Sequence, residues 1–332
     1  MRCSEFFRRF AAVVLGAVFL FGGVLKLMDP VGATLVMNSY LGFLHLSALS
    51  FAAEALALSF TILECIVGVA LVSGVLWRWI KWLSFGLTLF FTLLTLLLLI
   101  DNPAMDCGCF GELVHLTHTQ SFLKNIVLLL LWCAVFLPKG WNIRQPRRRR
   151  VLALVDCVLL FALMLHGFKR LPVLDLTDLN IGTELAEGSI PMLGEDDEYH
   201  DDMLLDGDVL LVSVPSSLST KEREKVIGTL DLARKSGLEA ALLAPVRMPE
   251  FEGLPLYTSD RKTLLSLNRS NGGATLVRDG EIVRKWSLGA LDADELERSL
   301  EMDPIESIAD DSLRGRTFFG SFVLVVFALL LI

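Results

Sequence analysis

The chain lacks a net positive charge, a Cys-x-x-Cys motif and any of the common zinc-binding frames. Its formal net charge is −8, with 30 Lys and Arg residues against 38 Asp and Glu residues. Phosphates are not attracted to such a chain, so nucleic-acid binding is excluded from the expected functions. A cleavable signal peptide is also not predicted, because no small-x-small cleavage site precedes Asp29-Pro30. Of only six cysteines, Cys107 and Cys109 alone are closely spaced.

Long apolar runs are what the chain has in abundance. Hydrophobic residues make up 53% of it and the mean hydropathy is +0.57, which indicates a membrane protein. A run of roughly 18 to 20 apolar residues can span the hydrocarbon core. We predict five spans and a sixth at the C-terminal end, from the runs Phe10–Met28, Phe51–Leu76, Ile80–Ile100, Phe122–Leu137, Val151–Phe168 and Phe318–Ile332.

The distribution of Lys and Arg predicts the orientation. Basic residues cluster before the first run, between the second and third runs, and between the fourth and fifth runs, which places these three segments in the cytoplasm. The opposite face of the membrane then carries the loop with Cys107-Gly108-Cys109 and residues 171–313. Four basic residues on that face count against this orientation: Lys169, Arg170, Arg314 and Arg316. The predicted location is the bacterial cytoplasmic (inner) membrane, with residues 171–313 extracytoplasmic.

The segment Asp101–Glu112 lies between two apolar runs and contains the Cys107-Gly108-Cys109 pair. Asn102-Pro103 ends the preceding helix, since proline has no amide hydrogen and disfavours a helical residue before it. Two thiols separated by one glycine can close into a small, strained disulfide, and such exposed bridges tend to be labile or catalytic. The alternative is that both cysteines are simply small residues in a surface turn.

Two ionisable residues in the apolar runs are candidate functional groups. Glu64 lies near the middle of the second run, where a charge is costly and usually faces a bundle interior, a proton path or a partner charge. Lys26 on the first run is a possible partner, although pairing with Asp29 at the membrane boundary is favoured for it. Alternatively, Glu64 is a protonated acid that holds neighbouring helices together. Asp156 is predicted to form an interfacial salt bridge beneath Arg147–Arg150.

Two histidines after the cysteine pair permit a metal-site hypothesis. Cys107, Cys109, His115 and His118 supply sulfur and imidazole ligands that suit zinc or copper, but their spacing is uncommon. Asp106 beside Cys107 raises the pKa of the thiol, whereas a cationic histidine lowers it, so reactivity stays open. The favoured interpretation is that these residues do not form a metal site.

Several motifs in order resemble one family of membrane proteins. These are Phe-Gly-Gly-x-x-Lys-x-x-Asp-Pro at 21–30, Glu64-x-x-x-Gly68, Asp106-Cys107-Gly108-Cys109-Phe110-Gly111 and Ser121-x-x-Lys124-Asn125. Together they resemble the MauE/DoxX-like redox-associated membrane proteins over about residues 6–140. The resemblance implies a four-helix membrane module with Cys107 and Cys109 as the redox pair. It also implies that Glu64, Lys26 and Asn125 are polar members of the bundle.

The same resemblance implies a biochemical setting. MauE is associated with methylamine utilisation, where it is needed for maturation of a disulfide-rich periplasmic dehydrogenase, and the wider family is linked to thiol or quinone redox chemistry. A membrane quinone is therefore a possible cofactor. The resemblance does not transfer the identity of the partner protein.

Residues 171–313 have the composition of a soluble, acidic domain, with 30 acidic and 13 basic residues and a net charge of −17. Their pattern predicts the order β-α-β-α-β-β-α, which resembles a thioredoxin-like fold. Pro215–Ser219 stands where that family has Cys-x-x-Cys, and Ala274 stands at the position of its cis-proline. We therefore predict a docking module without dithiol chemistry. The predicted elements are Val209–Val214, Thr220–Lys235 capped by Ser219 and Glu222, Glu239–Leu243, Thr258–Leu267, Ala274–Arg278, Glu281–Trp286 and Asp292–Leu300.

The predicted fold is an α-helical membrane bundle, a four-helix DoxX/MauE-like module plus additional spans, with an extracytoplasmic α/β thioredoxin-like domain. Its divisions are residues 1–140 (membrane module), 141–170 (basic cytoplasmic loop and fifth span), 171–313 (external domain) and 314–332 (last span).

Three functions compete for this architecture. The favoured hypothesis is a thiol/disulfide oxidoreductase component that serves an extracytoplasmic protein client and is reset by a carrier in the lipid bilayer. The second is a non-enzymatic assembly factor whose acidic domain binds a partner. The third is a transporter or metal-handling module that uses Glu64, Asp156 and the Cys/His residues.

Overall fold

The structure is a computed structural model that describes residues 3–75, 77–105, 107–112, 116–138, 147–169, 171–172, 175, 177–216, 218–270 and 272–331. The chain divides into two compact units. The first consists of Met1–Phe168 and Gly320–Ile332, and the second of Lys169–Phe319. The first unit is helical, whereas the second contains a mixed sheet with helices.

The helical unit contains the membrane-length helices. Six helices in the described part of the chain are long and apolar enough to cross a membrane, and they correspond to the six predicted runs. This confirms the prediction of a multi-pass membrane protein. The helices outside the sheet region are α1 Cys3–Met28, α2 Pro30–Phe43, α3 Ala53–Ser73, α4 Trp77–Asp101, α5 His118–Phe136, α6 Arg147–Lys169 and α10 Pro304–Leu331, with the short strand β1 Cys109–Glu112 before α5.

Helix α2 was not identified from the sequence. It begins where Asp29 accepts a hydrogen bond from the backbone N–H of Gly32 at 2.9 Å, with Pro30 in the first turn. An aspartate cap followed by proline is a typical helix start, because the carboxylate satisfies a free amide and proline needs none. The helix places Val36 and Tyr40, one turn apart, on the same face.

Small residues bring α1 and α3 into close contact. A Cβ atom added to Gly68 would lie 2.6 Å from the backbone nitrogen of Leu20, and one added to Gly16 would lie 2.8 Å from the Cβ of Leu71. Neither distance is sterically allowed, so the two backbones approach as closely as they do only because these positions are glycine. Gly23 similarly lies against Cys65.

Polar side chains link α5 to its neighbours. Asn125 donates to the backbone oxygen of Phe91 at 3.0 Å and to the hydroxyl of Thr95 at 3.1 Å, both on α4. Trp132 donates to the backbone oxygen of Lys81 at 3.0 Å. In an apolar surrounding such hydrogen bonds fix the rotation of each helix against the next.

The second unit is built on a five-stranded sheet in the order β4-β3-β2-β5-β6. Strands β2, β3 and β4 are parallel, and β5 and β6 form an antiparallel hairpin whose first strand pairs with β2. The strands are β2 Asp208–Ser213, β3 Glu239–Ala244, β4 Leu256–Thr258, β5 Gly273–Arg278 and β6 Glu281–Ser287, with helices α7 Thr220–Lys235, α8 Arg261–Leu267 and α9 Ala293–Glu301.

Both faces of this sheet are covered. Leu210 and Val212 point into one core with Leu230 of α7, whereas Leu211 points into the other with Leu264 of α8. Successive side chains of a strand point to opposite faces, so a strand buried on both sides is continuously apolar, as β2 is. The mixed α/β architecture of the predicted external domain is thereby confirmed.

One predicted helix of this unit was partly wrong. The sequence predicted a helix over Thr258–Leu267, but Thr258 ends strand β4 and the helix starts at Arg261. Asp260 causes this start, because its carboxylate accepts from the backbone N–H groups of Lys262 at 2.9 Å and Thr263 at 3.0 Å. The capping box of α7, Ser219 with Glu222, is present as predicted.

Candidate functional site

The loop between α4 and β1 is held by the first residue of α5. The ring of His118 makes hydrogen bonds through Nδ1 to Oδ1 of Asn102 at 3.0 Å and through Nε2 to the backbone oxygen of Met105 at 2.9 Å. Both ring nitrogens are therefore engaged by the loop. His118 therefore holds the segment that precedes Cys107 in place through two hydrogen bonds.

Cys107 and Cys109 are joined by a disulfide, with their Cα atoms 5.4 Å apart. Gly108 between them has a φ of +59°, a left-handed conformation that side-chain-bearing residues rarely adopt. A Cβ atom at this position would also overlap the side chain of Val36 on α2. Only glycine satisfies both conditions, so the pair depends on α2 as well as on its own loop.

The disulfide lines a cavity of about 300 Å³ inside the helical unit. Most of the lining is apolar and comes from α2, α3 and α4, with residues such as Val36, Leu56, Phe60, Phe91 and Leu94. Its polar lining residues are Lys26, Tyr40, Thr61, Glu64, Thr95 and Lys124. An apolar cavity with a few convergent polar groups is typical of a small-molecule site.

An ion pair lies in this cavity. Lys26 Nζ is 2.8 Å from each carboxylate oxygen of Glu64, and the two side chains are only 16% and 7% exposed. The sequence favoured Asp29 as the partner of Lys26, but the structure gives the ammonium group to Glu64 on α3, while Asp29 caps α2. The charge on Glu64 is thus balanced where it lies, which offsets the cost of burying it.

Lys124 is a second cation at the cavity. Its Nζ lies 4.7 Å from the centroid of the Phe110 ring. The Phe110 ring in turn packs against the Phe21 ring, with 5.9 Å between the two ring centroids. The face of an aromatic ring attracts a cation. Because Phe110 directly follows Cys109, this contact holds the ammonium group of Lys124 near the disulfide. Among the described residues, no carboxylate forms a salt bridge with Lys124.

Tyr40 contacts the disulfide itself. Its hydroxyl donates a hydrogen bond to the backbone oxygen of Cys107 and lies 3.8 Å from the Cys107 sulfur. Burial, and secondarily the charge of Glu64, raises the pKa of Tyr40, so the phenol keeps its proton. Neither Tyr40 nor Lys124 was predicted as a site residue. The Asp29-Pro30 pair signals the start of α2, but the contact of Tyr40 with Cys107 is visible only in the structure.

The structure brings most of the predicted site residues together. Cys107, Gly108, Cys109, Lys26 and Glu64 all line the cavity. Asn125 does not line it, but it bonds Thr95, which does. Asp106 and His115 lie outside the described residues. Within the described part of the chain, no three His, Cys, Asp or Glu side chains converge on a point where a metal ion could sit.

Asp156 on α6 differs from its prediction. Asp156 is completely buried, and neither of its carboxylate oxygens has a hydrogen-bond partner in the described part of the chain. The predicted salt bridge to Arg147–Arg150 is therefore absent from the described residues, because the side chain is directed into the packed interior instead of toward the helix end. It is not a lining residue of the cavity.

The cavity lies within a segment of the chain that matches a known family. No curated protein and no solved structure matches the chain. One family model does match, and the matched segment contains every lining residue of the cavity. That segment is about two fifths of the chain and leaves out the sheet-containing unit. Residues 4–138 match the family model described as methylamine utilisation protein MauE.

Proposed function

We propose that residues 4–138 form a membrane thiol–disulfide exchange module in which Cys107 and Cys109 are the reacting pair. The observation that supports this most directly is the position of the disulfide in the wall of a mostly apolar cavity that also contains buried ionic groups. A purely structural bridge gains nothing from such a setting, whereas a reacting one needs space for a second molecule beside the sulfur atoms.

The reaction has two balanced halves. A client protein with two thiols reduces the Cys107–Cys109 disulfide, forming a client disulfide and two cysteine thiols through a mixed-disulfide intermediate. The pair gains two electrons and two protons in this half. In the second half the dithiol loses them to an acceptor, and the disulfide forms again.

The cavity suits a lipid-soluble acceptor of the quinone class. Ligand sites in proteins hold about 300–1,000 Å³, so the cavity accommodates a single ring head group. The aromatic and aliphatic lining provides contact for the ring, and the ammonium group of Lys124 can donate to a carbonyl oxygen. When bound, a quinone supplies the capacity to accept two electrons and two protons.

The sheet-containing unit is proposed to be a thioredoxin-like docking domain. The parallel pair β2–β3 and the antiparallel hairpin β5–β6 have the arrangement expected for that fold, with β4 as an added edge strand. Residues 171–313 contain no cysteine, so this unit cannot exchange thiols itself. Its net charge of −17 favours a client with a basic surface.

We further propose that the protein lies in the bacterial cytoplasmic membrane with residues 171–313 outside the cytoplasm. The Lys and Arg residues beside the first, second and fourth spans support this orientation. Such a compartment permits stable disulfides, as the proposed reaction requires.

The redox state of the pair in native membranes tests the exchange function. Membranes are treated first with dithiothreitol and then with a short-chain quinone, and free thiols are counted by the mass shift of a maleimide-polymer. We expect two extra thiols after reduction and their loss after quinone, while Cys133→Ser, a change at an unrelated free cysteine, cycles as the unmodified protein does. A pair that never gains or loses two thiols contradicts the proposal.

A non-enzymatic assembly factor is the second candidate, supported by the separate acidic unit without cysteine. This function predicts that Cys107→Ser and Cys109→Ser both leave client maturation unchanged, whereas deletion of residues 171–313 abolishes it. The exchange function predicts that either cysteine change abolishes client maturation.

A further inference from the structure

The two sulfur atoms of the disulfide are not equivalent. Cys107 is buried, with 3% of its surface exposed, whereas Cys109 at the start of β1 is partly exposed. A thiolate from a second protein needs access to the sulfur that it attacks. Access therefore favours Cys109.

The surroundings of Cys107 suit a sulfur that becomes negatively charged. The hydroxyl of Tyr40 is partly buried, donates its proton to the backbone oxygen of Cys107 and lies 3.8 Å from the Cys107 sulfur, so a rotation of the O–H bond can direct the proton to that sulfur when it becomes charged. A hydrogen bond to a charged acceptor in such a place is stronger than one to a neutral acceptor. The charged lining residues of the cavity are Lys26, Glu64 and Lys124, from α1, α3 and α5. The described lining residues of α4 carry no charge.

On the basis of the proposed exchange function, we propose that Cys109 is the sulfur attacked by the client and Cys107 is the leaving sulfur, with Tyr40 as the residue that stabilises the Cys107 thiolate. The client thiolate forms a bond to Cys109 as the Cys107–Cys109 bond breaks, and the electron pair of that bond passes to Cys107. A second client thiolate then attacks the client sulfur of the mixed disulfide and releases Cys109. The client loses two electrons, and the cysteine pair gains them.

Reaction with glutathione disulfide tests the two roles without any client. The full chain is purified with either Cys107→Ser, which leaves Cys109, or Cys109→Ser, which leaves Cys107, and the glutathione adduct at each cysteine is followed by mass spectrometry. We expect the adduct to form at Cys109 about 10-fold faster or more, since Cys107 is shielded. Equal rates, or a faster reaction at Cys107, overturn the assignment.

Tyr40→Phe tests the role of the hydroxyl, because it keeps the ring and removes only the donor. In the Cys109→Ser protein, the pH midpoint of Cys107 alkylation by iodoacetamide is expected to rise by about 1 unit when Tyr40→Phe is added. In the matched Cys107→Ser protein, the midpoint of Cys109 should not move. An unchanged Cys107 midpoint, or equal shifts at both cysteines, overturns the role of Tyr40.

These outcomes are separable from the proposed function. If glutathione reacts faster at Cys107 while the pair still cycles in membranes, the assignment of roles fails and the exchange function stands. If the pair does not cycle in membranes, the exchange function fails whatever the rates with glutathione are.

Discussion

At the scale of single residues, the cavity is marked by an ion pair whose members have little exposure to solvent. Lys26 and Glu64 come from different helices and meet at 2.8 Å with little exposure to solvent. Each alone would be an isolated buried charge, which proteins tolerate poorly. Together they are held in place by each other, so the pair links α1 to α3 beside the disulfide.

Lys26→Met should destabilise the protein by about 3 kcal/mol, because it leaves the Glu64 carboxylate buried without its partner. The double change Lys26→Met with Glu64→Leu should recover most of that loss, since it removes both charges and keeps similar volumes. Detergent-induced unfolding measures both free energies. A double variant as unstable as Lys26→Met would contradict this account of the pair.

The site residues that could be predicted from the sequence are those whose chemistry is conspicuous in an apolar run. Lys26 and Glu64 are charges among hydrophobic residues, and Cys107 and Cys109 are two thiols around a glycine. Tyr40 belongs to a segment with no such contrast. Its role depends on a contact with a residue 67 positions away, which local pattern does not encode.

At the scale of elements, the contact between α1 and α3 is set by glycine. The two helices approach so closely at Gly68 that a Cβ atom there would lie 2.6 Å from the backbone of Leu20. No side-chain movement relieves an overlap with backbone. The cavity lies between elements that include this pair, so its shape depends on their spacing.

Gly68→Ala should force α1 and α3 apart and destabilise the protein by about 1–3 kcal/mol, as overpacking does in well-packed cores. Gly86→Ala is the matched control, because Gly86 lies on α4 with no atom within 4 Å of an added Cβ. Alanine there should be neutral or stabilise by up to about 1 kcal/mol, since it lowers the entropy of the unfolded chain. Thermal unfolding in detergent compares the two, and similar losses in both would contradict the steric explanation.

The elements of the sheet-containing unit were predicted well where periodicity and caps agree. Helix α7 has both halves of its capping box, and the β5–β6 hairpin turns at Asp279-Gly280. Strand β4 was missed because its three residues, Leu256–Thr258, are too few to show alternation. Its identity as a strand comes from pairing with β3, a tertiary contact.

At the scale of the whole molecule, charge is divided unevenly along the chain. Residues 171–313 have a net charge of −17, whereas the rest of the chain has a net charge of +9. Basic residues next to membrane spans favour the cytoplasmic side, and acidic segments have little influence. The Lys and Arg residues beside the spans therefore predict the side of the membrane on which each soluble segment lies.

Labelling of single introduced cysteines in intact cells measures that orientation. Ser236→Cys, at an exposed position after α7, should react with a membrane-impermeant maleimide if residues 171–313 face outward. Trp79→Cys, at a position that is 76% exposed in the first turn of α4 beside Arg78 and Lys81, should not react until the cells are lysed. The unmodified chain gives the background from its own cysteines, and the reverse labelling pattern would invert the topology.

The fit between Gly108 and Val36 has a consequence for engineering the dithiol loop. A side chain placed at position 108, for example by grafting a longer spacer between the cysteines, would overlap Val36 on the helix that begins at Pro30. The loop and α2 must therefore be redesigned as one piece, with Val36 shortened to make room for the graft. If the loop alone were moved into another protein, it would lose its contact with Val36 on α2.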